Sequence, residues 1–564
     1  MAKRKHKQIV TIDAETDPFV NQRVPTPFLW GSFDGTEFRT FRTTEEMVQF
    51  WFTKDVYLFA HNGGKFDFMY LLPFISETRA TIINGRIVEM KLGNATLRDS
   101  FAILPLPLRQ YQKKDIEYWK LEKGVRDEHW AEIVEYLRID CVSTHELVSA
   151  FFDSAGTRPT IASNALNFSR KRGVNPGRTH IRFDNHFRQF YFGGRVEVFK
   201  PGTHREVNVF DIKSSYPYAM SHDHPTGDQW ETVDDLEGMT NEEIGRAFIE
   251  ITCYSDGAFP IVGRDGGLQF PRGLGPYKVT GWEYLCARKH GLLRGERITA
   301  VHRLGDASCG QYPTINFTVY VDHWFHHKEH AKKDGDKAQE IVGKYMMNSL
   351  YGKLAQNPRE YMDYQILPLG SPINVDEGWS LEYEFDNSEV HGRSVMWRHT
   401  DNTTGEIDPA APLFHNVATG ASITGFARAH LLDAICTVGR NKVAYCDTDS
   451  LTLLPGADDR RLRQDGKLGA WEWEGTGSPC HIAGKKQYGL TFVNGPKAGK
   501  DKIASKGARL TMKQMERLVN GETVVWCNDA PTFRLGKKMC ENVCTRPDKC
   551  VCFIHREIRA TARM

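Results

Sequence analysis

Apolar and polar residues alternate on both sides of a tight acidic turn at Tyr445-Cys-Asp447-Thr-Asp449-Ser450, entered through Val443-Ala-Tyr445 and left through Leu451-Thr-Leu453. This pattern predicts a β-hairpin with two carboxylates at its tip. β-branched or apolar runs predict further strands at Ile9-Val-Thr-Ile12, Val56-Tyr-Leu-Phe59 and Val207-Asn-Val-Phe-Asp211, each leading into a polar or acidic turn. Elsewhere the period is helical. The four-residue step from Tyr136 to Asp140 puts both side chains on one helical face. Phe317, Tyr320, Val321 and Trp324 open a second helix, and Lys337, Lys344, Asn348 and Tyr351 share one face of a third.

Composition adds bounds. With 564 residues, 40% hydrophobic and 26% charged, the chain is long enough for several cores. No apolar run reaches membrane-spanning length, and Met-Ala-Lys-Arg-Lys-His-Lys leads into a strand and not a signal-peptide core, so a cytoplasmic protein without membrane contact is expected. Net charge is only +2, but from His481 to the end 17 Lys+Arg face 7 Asp+Glu. An acidic body with a basic C-terminal lobe suits a protein that holds metals in one place and a polyanion in another, although a lobe basic for solubility would read the same. Cys141, Cys253, Cys436 and Cys446 sit singly among apolar neighbours and read as reduced core thiols. Cys540, Cys544, Cys550 and Cys552 are clustered; four thiols so close could close a tetrahedral zinc site, free thiols being the alternative.

The acidic turns carry the chemistry. Asp447 and Asp449 repel each other unless a cation lies between them, and Mg2+ or Mn2+ is the simplest choice, although an Asp-rich surface turn has the same local composition. Two ions serving phosphoryl transfer need another carboxylate from another strand, and Asp211 supplies it. Near the N-terminus, Asp13-Ala-Glu15, Asp67 in Asn62-Gly-Gly-Lys-Phe66-Asp67, and Asp140 make a second set of four. That set suffices for two ions that activate water on a phosphodiester. Lys337 and Lys344, aligned with Tyr351, could grip a triphosphate and stack near a base.

As an ordered series, Asp-x-Glu, Asn-x3-Phe-Asp and Tyr-x3-Asp resemble the exonuclease motifs of proofreading DNA polymerases. The resemblance implies that Asn62 and Phe66 hold a frayed 3′ end, that Tyr136 positions the attacking water, that Lys113 or Lys114 assists, and that the segment around Ser100 touches the strand. Asp211-Ile-Lys-Ser-Ser-Tyr-Pro217, Lys344-Tyr-Met-Met-Asn348-Ser-Leu-Tyr351-Gly352 and the Tyr445–Ser450 turn resemble motifs A, B and C of family B DNA polymerases. Tyr191-Phe-Gly193-Gly194 resembles the segment that links the two domains and contacts template, Lys486-Gln-Tyr488 the Lys-x-Tyr that stabilises primer-template, and Thr424-Gly-Phe-Ala-Arg428 a segment of the subgroup primed by terminal proteins, in which Thr424 and Arg428 would bind DNA.

The resemblance implies an α+β multidomain fold, an RNase H-like exonuclease domain joined to a right-hand polymerase with two subgroup insertions. Its expected divisions are exonuclease 1–157, palm 158–222 and 413–507, insertions 223–316 and 358–412, fingers 317–357, and a basic thumb 508–564. It also implies a monomer acting on primer-template DNA and dNTPs, with two divalent ions per site and a terminal protein as primer. Asp211 and Asp449 would hold both polymerase ions with Asp447 in support, Lys344 and Lys337 would neutralise the triphosphate, and Tyr216 would lie under the sugar and exclude a 2′-hydroxyl. The chain departs from the pattern at Ser215, where leucine is usual, and in the length of 359–411. A nuclease with a degenerate polymerase half, a DNA-binding module without catalysis and a reverse transcriptase are disfavoured, because both carboxylate sets and the motif lysines are present.

Overall fold

In the computed structural model the described residues are 6–18, 25–177, 179, 181–305, 313–357, 362–383, 394–398, 416–462, 466–505, 507–527 and 557–560. The N-terminal strand extends over Gln8–Thr16, pairs antiparallel with Pro27–Phe33 and parallel with Val56–Ala60. A parallel pair needs a crossover, and the helix Thr44–Phe52 provides it, its first turn capped by the Thr43 hydroxyl accepting from the Glu46 N–H. The long helix Trp130–Ser154 packs across the sheet. At Gly31 a Cβ would lie 2.7 Å from Leu137 Cγ, so strand and helix approach this closely only because that residue has no side chain.

The sheet runs to ten strands. Beyond Val56–Ala60 come Ala95–Asp99, Arg86–Leu92 and Thr78–Ile83, and then Asp363–Leu367, Ser394–Arg398 and Trp379–Tyr383 from far along the chain. Segment 358–412, expected as a separate insertion, thus contributes three strands to the edge of the N-terminal sheet, joined through Tyr364↔Ala80 and Ile366↔Thr78. Residues 399–411 of this insertion, Asp401 and Gly405 among them, and the cysteines from Cys540 to Cys552 lie outside the described residues.

The second large sheet has the order Asp501–Ser505, Gln487–Asn494, Trp471–Gly484, Val207–Ile212, Ser450–Leu453, Val443–Asp447, Val196–Val198, with Gly202–His204 pairing Trp471–Gly484 as well. The expected hairpin Val443–Asp447/Ser450–Leu453 lies beside its middle strand Val207–Ile212. Between its strands, residues 223–316 form a four-stranded sheet with two short helices, closed at the base by the pair His224–Pro225/Thr314–Ile315. Helices Thr318–Asp334 and Lys337–Asn348 pack antiparallel around a left-handed Gly335. The second also packs on Trp130–Ser154, with Gln339 donating to the Ala150 carbonyl at 3.2 Å. The single helix expected through Tyr351 ends at Asn348; Ser349 separates it from the short helix Leu350–Leu354, which carries Tyr351.

Helix Val417–Thr437 has no apolar stripe because it is buried on nearly every side, between the second sheet and the insertion. Cys141, Cys253, Cys286, Cys436, Cys446 and Cys480 are free thiols, as the scattered spacing suggested.

Candidate active sites

Antiparallel register sets Asp211 opposite Ser450, and Ser450 opposite Asp447, so three carboxylates from two elements reach one end of the second sheet. Thr448 takes a left-handed conformation (φ 58°), which turns the backbone so that the Asp449 carbonyl accepts from the Ile212 N–H at 2.7 Å. The Tyr191–Gly194 loop braces this turn: a Cβ on Gly194 would lie 2.6 Å from Thr448 Cγ2, and the next carbonyl, of Arg195, accepts from the Thr448 N–H at 2.7 Å. Asp447 pairs with the Lys486 ammonium and accepts from the Tyr445 hydroxyl at 3.3 Å.

Burial, the Asp449 charge and then Glu474 push Asp211 up to about 7; burial and then the Asp447 charge push Asp449 up to about 6. Glu474, invisible in the motif reading, lies on the neighbouring strand and is held by Lys497 and, at 2.8 Å, by Lys502. Only its alternation with Glu472 along Trp471–Gly484 hinted at it.

In the first sheet Asp13 and Glu15 leave one strand, Asp67 begins the short helix Asp67–Leu71, and Asp140 comes from the long helix. Burial raises all four carboxyls, joined by repulsion from the other carboxylates at Asp13, raised strongly, and at Glu15, raised to about 8; Asp67 rises to about 7 with the Asp99 charge adding to burial, and Asp140 rises despite its 3.3 Å contact with Lys113. Burial pulls Lys113 down, but Asp140 and Asp13 outweigh it and leave its ammonium above the ordinary value. Tyr136 is buried beside them, its ring 5.3 Å from the Lys113 ammonium.

One carboxylate oxygen of Asp67 and one of Asp140 are buried with no hydrogen-bond partner. Buried acceptors of this kind are what an oxygen-liganded cation would relieve, so this set fits divalent magnesium or manganese, and the all-carboxylate donors of Asp211, Asp447 and Asp449 are of the same hard-oxygen type. Asp99, also absent from the motif reading, accepts from the Asn62 and Gly64 N–H groups at 3.0 and 3.1 Å and so holds the left-handed turn at Asn62.

A family description, DNA polymerase type B, organellar and viral, matches residues 107–377. The DNA-directed DNA polymerase of Enterobacteria phage PRD1 is 33% identical over 94% of this chain and 96% of its own. The chain belongs to the type B DNA polymerases. The Bacillus phage phi29 DNA polymerase shares the polymerase's fold: its orthorhombic crystal form superposes with TM-score 0.70 at 18% identity, over 94% of this chain and 100% of that one. Its complex with primer-template DNA gives 0.69 at 19%, over 93% and 97%. The polymerase is therefore the expected α+β multidomain molecule, built around the ten-stranded and the eight-stranded sheets.

Lys337, Lys344 and Asn348 are exposed along one helix, and Tyr216 stacks on Tyr351 with ring centroids 4.1 Å apart and planes at 13°. Ser215 is buried, its hydroxyl without a partner. Gly193 and Lys486 are exposed, and Asn62, Phe66 and Tyr191 are half-buried. Four residues expected at the DNA surface are instead buried. Ser100 is 3% exposed and bonds His61 at 3.0 Å; Tyr488 is 7% exposed and packs on Tyr445. Thr424 and Arg428 are 1% and 2% exposed. The Arg428 guanidinium forks onto Glu283 at 2.7 and 2.9 Å and donates to the carbonyls of Phe192 and Gly193 at 2.6 and 3.0 Å, so it shapes the loop that faces the site.

Because folding raises the carboxyls of Asp211 and Asp449 above their ordinary 3.8, their contribution stabilises the metal-free polymerase fully below that pH and is lost as pH rises through about 6 and 7. A divalent ion competes with those protons. The rise in melting temperature on adding Mg2+ should therefore be small near about pH 5.5 and larger near about pH 8. Thermal unfolding at both pH values, with and without the ion, checks this; an equal shift contradicts it.

Proposed function

We propose that this polymerase performs template-directed DNA synthesis at Asp211, Asp447 and Asp449 and 3′→5′ proofreading at Asp13, Glu15, Asp67 and Asp140. The carrying observation is that one chain gathers two separate carboxylate sets, each with carboxyls raised by burial and neighbouring charge and each beside a lysine. When bound, paired divalent ions would lower the charge barrier to in-line attack at phosphorus and acidify the attacking hydroxyl or water.

The remaining work belongs to the side chains. Lys344 and Lys337, on the open face of their helix, neutralise the incoming triphosphate; the Tyr216/Tyr351 stack floors the nucleotide pocket, with Tyr216 against the sugar. Lys486 holds Asp447 until primer-template draws the ammonium away. In the exonuclease domain Tyr136 and Lys113 orient water and steady the leaving oxygen, while Asn62 and Phe66 hold the strand end. Likeness to the PRD1 and phi29 enzymes and the two insertions support a terminal-protein primer and strand displacement by a monomer in the host cytoplasm. None of the described helices is long and apolar enough to cross a membrane.

Asp449→Ala should abolish nucleotide incorporation and leave single-strand degradation intact, and Asp13→Ala with Glu15→Ala should do the reverse. Primer extension and end-labelled strand degradation measure the pair; loss of both activities in a folded variant contradicts two sites. Tyr216→Ala should raise ribonucleotide use relative to deoxynucleotide by roughly tenfold or more, since a clash and not a hydrogen bond discriminates. An unchanged ratio places the discriminator elsewhere. Trimming 399–411, which leaves the three edge strands in place, should spare gap filling but stop synthesis at a downstream duplex; undiminished displacement excludes this insertion as the wedge.

A further inference from the structure

Helix Ile181–Phe187 meets the sheet of the first insertion at His186, Glu250 and His302, one ligand atom from each lying within 4.8 Å of the other two. The three come from widely separated segments, and none belongs to either carboxylate set. Phe248 pairs with His302 and Glu250 with Ala300, which sets Glu250 and His302 diagonally on one face.

Second contacts orient the ligand atoms. Thr232, directly across from His302 on the next strand, bonds its Nδ1 at 2.9 Å, leaving Nε2 turned toward Glu250 Oε1 at 3.3 Å. The His186 ring packs edge-on against His302 with centroids 4.3 Å apart, and its Nε2 is buried without a hydrogen-bond partner. Burial lowers both imidazoles below their ordinary value, which favours the neutral rings that a cation requires. Lys278 also contacts Glu250 Oε1, at 3.0 Å, but it holds Gln189 at 2.8 Å and is one-third exposed, so it can keep Gln189 when the carboxylate turns to a cation. A second grouping, Cys286, His290 and Asp433, has no counterpart to the unpartnered His186 Nε2. There Lys289 and His290 occupy one Asp433 oxygen at 2.6 and 2.8 Å, and the Cys286 thiol donates to the Ala429 carbonyl.

We propose that His186 Nε2, His302 Nε2 and the Glu250 carboxylate bind one zinc-type divalent ion, with water as fourth ligand, as a structural staple. Two imidazoles and a carboxylate form a borderline-soft donor set that suits zinc and disfavours magnesium. The staple ties the helix preceding the Tyr191–Gly194 loop to the insertion sheet.

The test uses full-length polymerase carrying Cys286→Ser, Cys540→Ser, Cys544→Ser, Cys550→Ser, Cys552→Ser, Asp13→Ala and Asp449→Ala, so that neither the clustered C-terminal thiols, the Cys286 grouping nor the two carboxylate sets as they stand supply the binding. Metal-depleted protein is loaded with zinc in excess Mg2+, desalted and assayed for bound zinc. One ion per chain is expected, lost on adding either His186→Ala or His302→Ala, together with a zinc-dependent rise in melting temperature of the parent. Cobalt in place of zinc should give visible d–d absorption without a thiolate charge-transfer band. No retained zinc in the parent, or equal retention in both histidine variants, overturns the proposal. Should a histidine variant fail to fold, Glu250→Gln takes its place and must lower retention.

Discussion

The guanidinium of Arg428 sits where the molecule tolerates no error. Its fork engages Glu283, whose other duty is to close the capping box with Thr280 at the start of the helix Gly281–Lys289. Both side chains of the pair are 2% exposed, so removing either would strand a buried charge, at a cost on the order of 3–5 kcal/mol. The remaining donor of Arg428 fixes the Phe192 and Gly193 carbonyls, Gly194 then abuts Thr448, and Thr448 turns Asp449 toward Asp211. Insertion, long helix, linking loop and metal-binding turn are thereby one mechanical series. Gly425 belongs to it too: a Cβ there would lie 2.2 Å from the Thr280 hydroxyl, so the long helix can press on the insertion helix only at a glycine.

Against that rigid frame the two carboxylate sets are deliberate electrostatic conflict. Each element alone would stay ionised in water; the fold brings them together in low dielectric, and the fold energy spent on that opposition is recovered only in complex with cations and phosphates. The flanking lysines moderate the conflict unequally. Lys486 is half-exposed and can leave Asp447, whereas Lys502 is largely buried and stays with Glu474. One is placed to answer to substrate, the other to keep the base of the site fixed.

The parts legible in the sequence are those set by local period. Alternation around Asp447 and Asp449 located the hairpin, β-branched runs located the strands ending at Asp13 and Asp211, and the step from Tyr136 to Asp140 located a helix face. What stayed hidden depends on contacts distant in sequence. Val417–Thr437 shows no stripe because it is enclosed; Thr424, Arg428, Ser100 and Tyr488 belong to motifs whose spacing gives identity but not which side faces solvent. Glu474 and Asp99 act through neighbours that only sheet register supplies. The strands of 363–398 could be read as an insertion, yet no residue in them announces that their partner is Thr78–Ile83.

That borrowed edge has a consequence for how the halves can be separated. Thr78–Ile83 is a strand whose outer row of N–H and C=O groups is satisfied only by Asp363–Leu367. An N-terminal half cut free near residue 157 would keep its carboxylates and its long helix but present an open strand edge, a template for pairing with a second copy of itself. Self-association is thus written into the isolated half. In physical terms, the sheet that carries Asp13 and Glu15 has its edge closed by a stretch of the same chain nearly three hundred residues further on.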